Sequence, residues 1–76
     1  MNKITKLLAD ILVLPTAQIN DALTMQSTDS WDSLKHMELI ASIEQEFGIE
    51  LTVDDIVLMG SFQGIIKILS QKGVAL

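Results

Sequence analysis

The chain has 76 residues, a formal charge of −5, 49% hydrophobic residues and no cysteine. That length suits a single domain over residues 1–76 with one packed core, and the missing cysteine removes any disulfide framework or thiolate metal site. A single histidine, His36, cannot build a multi-histidine metal site either, so no metal centre is expected.

The apolar residues near Met1 are interleaved with Lys3, Lys6 and Asp10 instead of forming a signal-peptide block. No window approaches the roughly 18 apolar residues of a membrane span. A soluble, cytoplasmic protein is expected.

Ile4, Leu7, Leu8, Ile11 and Leu12 follow the i, i+3, i+4, i+7, i+8 spacing of one helical face, which predicts helix one from about Lys3 to Leu12. Pro15 breaks it. The stretch from Val13 to Asp32 is rich in Thr, Ser, Asn, Asp and Gln, and reads as a long loop pinned at Ile19, Leu23 and Met25. A connection of about 20 residues is unusual in so small a domain, and such loops are functional or disordered; here it delivers the chain to Ser33.

Helix two should begin near Ser33, with Asp32 or Ser30 as N-cap, and end at Phe47-Gly48, where glycine suits the left-handed position. Thr52-Val53-Asp54-Asp55 has the form of a capping box with Asp in place of Glu or Gln, predicting a short helix from about Val53 to Leu58 that Gly60 ends. Ser61 can cap a last helix whose Phe62, Ile65, Ile66, Ile68 and Leu69 form an apolar face, with Lys67 and Lys72 toward its C-terminal end. Gly73 should stop it and Val74-Ala75-Leu76 should fray. With no repeat and no strand pattern, the fold class is all-α: a small four-helix bundle, three main helices plus one short one, with a long loop between helices one and two.

Helix two carries two apolar stripes. Leu39, Ile40, Ile43 and Phe47 cluster on one side, and Leu34, Met37 and Ala41 lie nearly opposite. The first has the larger residues and is assigned to the interior. The second is then an exposed strip beside Ser33, flanked by Glu38 and Glu44, of the kind that docks a partner. The competing reading packs Leu34 and Met37 beneath the long loop.

Charge supports docking to a basic protein. Between His36 and Ile66 there is no Lys or Arg, while Glu38, Glu44, Glu46, Glu50, Asp54 and Asp55 all fall there. Such a field repels phosphate backbones and anionic headgroups, which argues against nucleic-acid or membrane binding, and attracts basic protein surfaces. The acidic residues lack the Asp-x-Asp-x-Asp-Gly spacing of a calcium loop. His36 lies three residues after Ser33, but no orienting third group or oxyanion hole accompanies the pair, so no catalytic residue is assigned.

Asp32-Ser33-Leu34 at the head of a helix, followed by Met37-Glu38-Leu39-Ile40 and Glu44-Gln45-Glu46-Phe47-Gly48-Ile49, resembles the acyl carrier protein family over essentially the whole chain. Taken alone, Ser33 is an ordinary helix-start serine. The resemblance implies that it receives 4′-phosphopantetheine from coenzyme A through a separate phosphopantetheinyl transferase, and that the arm's thiol holds acyl groups as thioesters. A cysteine-free chain would thus be a carrier and not an enzyme, its sulfur arriving with the cofactor.

The resemblance further implies that Asp32 helps position metal and coenzyme A in the transferase complex. Leu34, Met37, Glu38, Ala41 and Glu44 match positions that dock acyl-loading and acyl-processing enzymes through basic patches. Leu39, Ile43, Phe47, Ile56, Met59, Ile65 and Leu69 would line the space where related carriers sequester acyl chains, and each is equally well explained as core. Met59 reads as core and Met37 as a contact residue. A monomer is expected.

The chain departs from carriers of general fatty acid synthesis at the head of helix two. Ser30 replaces a glycine, Trp31 precedes Asp32, and Lys35-His36 follows Leu34. These changes sit at the docking end and resemble discrete carriers of specialised acyl or aminoacyl pathways. Trp31 is as well explained as a loop anchor packed on the bundle. A carrier of housekeeping fatty acid synthesis, or an unmodified acidic helical adaptor, are the alternatives.

Overall fold

The computed structural model describes residues 3–75 and places four α-helices among them: α1 (Lys3–Leu12), α2 (Ser33–Phe47), α3 (Val53–Leu58) and α4 (Phe62–Gln71). Apart from one isolated bridge between Thr24 and Ser61, no extended pairing occurs among the described residues. α1 packs on α2 and α3 on α4.

The i, i+3, i+4 stripe of α1 does what its spacing predicts: Ile4, Leu8, Ala9 and Leu12 are buried, with Leu7 and Ile11 half-buried beside them. The helix closes with the Leu14 N–H donating to the Ala9 carbonyl at 3.0 Å. That closure puts Val13 at φ 55°, a left-handed conformation that costs a β-branched residue free energy.

After Pro15 the chain makes a single 3₁₀ turn, Thr16–Gln18, which the sequence reading treated as plain loop. Ile19 and Leu23 are buried and Met25 half-buried, so the loop is pinned where expected. Its middle is also stitched to the junction between α3 and α4. The Met25 N–H donates to the Gly60 carbonyl at 2.9 Å and the Phe62 N–H to the Leu23 carbonyl at 3.0 Å. Trp31, 1% exposed, anchors the far end of the loop in the core.

Asp32, not Ser30, caps α2, its Oδ1 accepting the Lys35 N–H at 2.8 Å. Gly48 ends the helix at φ 63°, ψ 40°. Thr52 and Asp55 form the reciprocal capping box of α3, and Ser61 caps α4 by accepting the Gly64 N–H.

At the end of α4, Gly73 takes φ 83°, its N–H donates to Ser70, and the Val74 N–H donates back to Leu69 at 3.0 Å. This is a Schellman closure. Val74 is half-buried against the core, so the expected fraying does not begin there; Leu76 lies outside the described residues.

The core joins Ile4, Leu8 and Leu12 of α1, Leu39 and Ile43 of α2, Ile65 and Leu69 of α4, together with Trp31 and Met59. Each of these side chains is fully buried, contributing about 1.5–3 kcal/mol of hydrophobic free energy.

Candidate functional site

Ser33 is the first residue of α2 and is exposed. Its position follows from its two predecessors. Trp31 is locked in the core, and Asp32 is committed to the helix start, its side chain taking the Lys35 N–H and its carbonyl the His36 N–H, each at 2.8 Å. The Ser33 hydroxyl therefore sits on a rigid shoulder where the helix N-terminus tolerates an added anion. That exposure and support fit a covalently attached phosphodiester.

Beyond Ser33 the outer stripe of α2 is open. Leu34 is 82% and Met37 54% exposed, and Ala41 and Glu38 are exposed too, so Leu34 and Met37 do not pack beneath the loop. Glu38 pairs with Lys35 at 3.3 Å on the surface. Glu44 is half-buried instead, one carboxylate oxygen accepting the Leu51 N–H at 2.9 Å and so fixing the turn into α3. Asp32 and Glu38 thus stand at the surface beside the strip, whereas Glu44 serves the fold.

The interior candidates come together. Leu39, Ile43, Met59, Ile65 and Leu69 belong to one buried cluster, with Phe47 and Ile56 half-buried against it. They are packed side by side as core.

Two features escaped the sequence reading. Trp31 and His36, placed by that reading at the docking end, are buried; the docking alternative for Trp31 gives way to the anchor. The Trp31 indole Nε1–H donates to His36 Nδ1 at 3.1 Å, and His36 Nε2 lies 2.8 Å from the Ile56 carbonyl oxygen. The signal was there in the spacing, because His36 heads the series 36, 39, 40, 43, 47 that forms the inner stripe of α2.

The second is α3, which leaves Val53, Val57 and Leu58 respectively 77%, 73% and 62% exposed. Val57 and Leu58 border an open groove of about 450 Å³ that Thr24, Met25 and Gln26 also line. Asp55 holds the other side of α3: the Thr52 N–H first, and the Lys72 ammonium 2.9 Å away second, keep its carboxyl below the usual carboxylate range.

The family model described as the phosphopantetheine attachment site matches residues 2–69. The chain belongs to that family. It is a carrier of acyl groups on 4′-phosphopantetheine and not a catalyst, and it works with a phosphopantetheinyl transferase and with pathway enzymes. Among individual proteins, it is similar to polyketide-8 synthase acyl carrier protein 2 of Streptomyces avermitilis, 29% identical over 70 residues that cover 92% of this chain and 80% of that one. Among the described residues, no helix is long and apolar enough to cross a membrane.

Proposed function

We propose that this carrier bears its 4′-phosphopantetheine on Ser33 and presents acyl or aminoacyl thioesters to the enzymes of a specialised biosynthetic pathway. The observation that carries the attachment is the exposed Ser33 hydroxyl at the head of α2, within the matched segment and held by the Asp32 cap. In the loading step the Ser33 oxygen takes the phosphopantetheinyl group of coenzyme A, its proton passes to a base, and adenosine 3′,5′-bisphosphate leaves. Once bound, the group supplies the thiol that holds cargo.

Leu34, Met37 and Ala41, with Asp32 and Glu38 beside them, make an apolar strip with acidic neighbours that suits enzymes carrying basic patches. Trp31 and His36 act inside the fold, so partner choice falls to Leu34, Lys35, Met37 and Glu38. Leu39, Ile43, Phe47, Ile56, Met59, Ile65 and Leu69 are the side chains an inserted acyl chain would meet. The specialised pathway is supported by the unusual head of α2 and by the likeness to a polyketide synthase carrier.

Intact mass after incubation with coenzyme A, magnesium and a broad-specificity phosphopantetheinyl transferase tests the attachment. Wild type should gain one phosphopantetheine and Ser33→Ala none, with the same circular dichroism spectrum. An adduct on Ser33→Ala would move the site, and no adduct on wild type with two different transferases would favour the unmodified adaptor. The pathway is tested next by offering the loaded carrier to a malonyl transferase of fatty acid synthesis. Turnover equal to that of a housekeeping carrier would sink the specialised reading.

A further inference from the structure

α3 is attached to the molecule differently from the other helices. None of its six residues is buried, whereas α1, α2 and α4 each bury three or more. Ile56 is its half-buried apolar contact with the core, and two polar ties flank that contact. Asp55 meets Lys72 beyond the end of α4 at 2.9 Å, and the Ile56 carbonyl meets His36 Nε2 of α2 at 2.8 Å.

The second tie has a defined direction. An indole N–H can only donate, so His36 Nδ1, which faces Trp31 Nε1, is an acceptor, and the ring proton sits on Nε2. The imidazole therefore donates to Ile56. That carbonyl belongs to the last turn of α3, where no i+4 amide is available; within α3's own closure it takes the Met59 N–H at 3.2 Å. Donation runs from the loop through α2 into α3, and each bond in such a buried chain strengthens the next.

Leu39, Ile43, Met59, Ile65 and Leu69 are all fully buried, so an entering acyl chain reaches them only if something moves. Of the four α-helices, the one that loses least on moving is the one that buries no residue, which is α3. His36 stands three residues after Ser33, on the same turn of α2.

We propose that His36 is a positioning residue that latches α3 against α2, and that breaking its bond to the Ile56 carbonyl is the step that opens the interior to an acyl chain arriving from Ser33. The cargo rests on the carrier reading; the latch is a property of the unmodified chain.

Native-state hydrogen exchange on the unmodified chain tests the latch. His36→Phe keeps an aromatic ring but neither accepts from Trp31 nor donates to Ile56, and the Ile56 and Met59 amides should exchange about tenfold faster relative to the Ile68 and Leu69 amides of α4. His36→Gln, with an acceptor and a donor flanking one carbon as in imidazole, should restore much of that protection. Leu8→Ala serves as the control, lowering overall stability without favouring α3. Equal acceleration of α3 and α4 in His36→Phe, as in Leu8→Ala, would make the histidine merely structural and overturn the latch.

The gating step is read on wild type carrying an octanoyl group on its phosphopantetheine arm. The unmodified chain should show a slowly exchanging His36 Nε2–H proton signal, cargo should erase it, and its absence from the unmodified chain or its persistence with cargo would overturn the gate. A chain that accepts no phosphopantetheine would count against the carrier reading instead, and the exchange data on unmodified protein would still decide the latch.

Discussion

α3 and α4 are neighbours in the chain, and each opens on a hydroxyl cap, Thr52 and Ser61. α4 buries Ile65, Ile68 and Leu69, while α3 buries none of its own residues. Length explains much of the contrast. Ten residues let an apolar stripe return to the same face, whereas six make less than two turns. Val53, Ile56 and Val57 share the i, i+3, i+4 face of α3, yet Ile56 is the one packed against the core, while Val53, Val57 and Leu58 meet solvent. One helix supplies stability through burial; the other is held by the Ile56 contact and its polar ties.

The largest expected effect separates the two helices by their cores. Leu69→Ala removes a fully buried side chain and should cost about 2–5 kcal/mol in urea denaturation, a large share of the stability of a domain this size. Val57→Ser on α3, at a site 73% exposed, should stay within about 0.5 kcal/mol of wild type. Comparable losses at the two positions would abolish the distinction.

A smaller effect probes how closely the helices are joined. A Cβ on Gly64 would overlap the Leu58 carbonyl oxygen at the end of α3 and crowd Ser61 Oγ. Gly64→Ala gains about 1 kcal/mol of helix propensity in α4, but the backbone overlap should outweigh it and leave the protein about 1–2 kcal/mol less stable. A thermal melt that matched or exceeded wild type would show that the end of α3 moves aside at little cost.

What the sequence revealed follows the range of the forces involved. The end of α1, the bounds of α3, the Ser61 cap and the Gly48 and Gly73 stops are local signals, and each could be read from a few residues, while the choice of Asp32 over Ser30 as the cap of α2 could not. The 3₁₀ turn after Pro15 has no apolar period to announce it. Val74 was misread because its return to the core depends on Leu69 and on packing beyond the helix end. At the site, the exposure of Ser33, Leu34 and Met37 could be anticipated from the two stripes of α2. The Trp31–His36–Ile56 connection could not, since its last bond spans 20 residues of sequence and only the tertiary fold brings those atoms together.

The smallest expected effect is an acid response confined to α3. The Thr52 N–H and the Lys72 ammonium both favour the ionised Asp55 carboxylate, so its folded value lies below the unfolded one. A group shifted in that direction contributes stability that is complete above the unfolded value, about pH 4, and is lost as the pH falls through the lower folded value. The burial that holds α4 does not titrate. Lowering the pH from about 5 to about 3 should therefore loosen Val53–Leu58 before Phe62–Gln71, seen as earlier loss of amide protection in α3. Asp55→Asn keeps a carbonyl oxygen for the Thr52 N–H but cannot pair with Lys72 or titrate, so α3 should be looser at neutral pH and its acid step reduced. If both helices lost protection together in wild type and variant alike, α3 would have to be regarded as part of the same cooperative unit as α4, and its polar ties as incidental to how it is held.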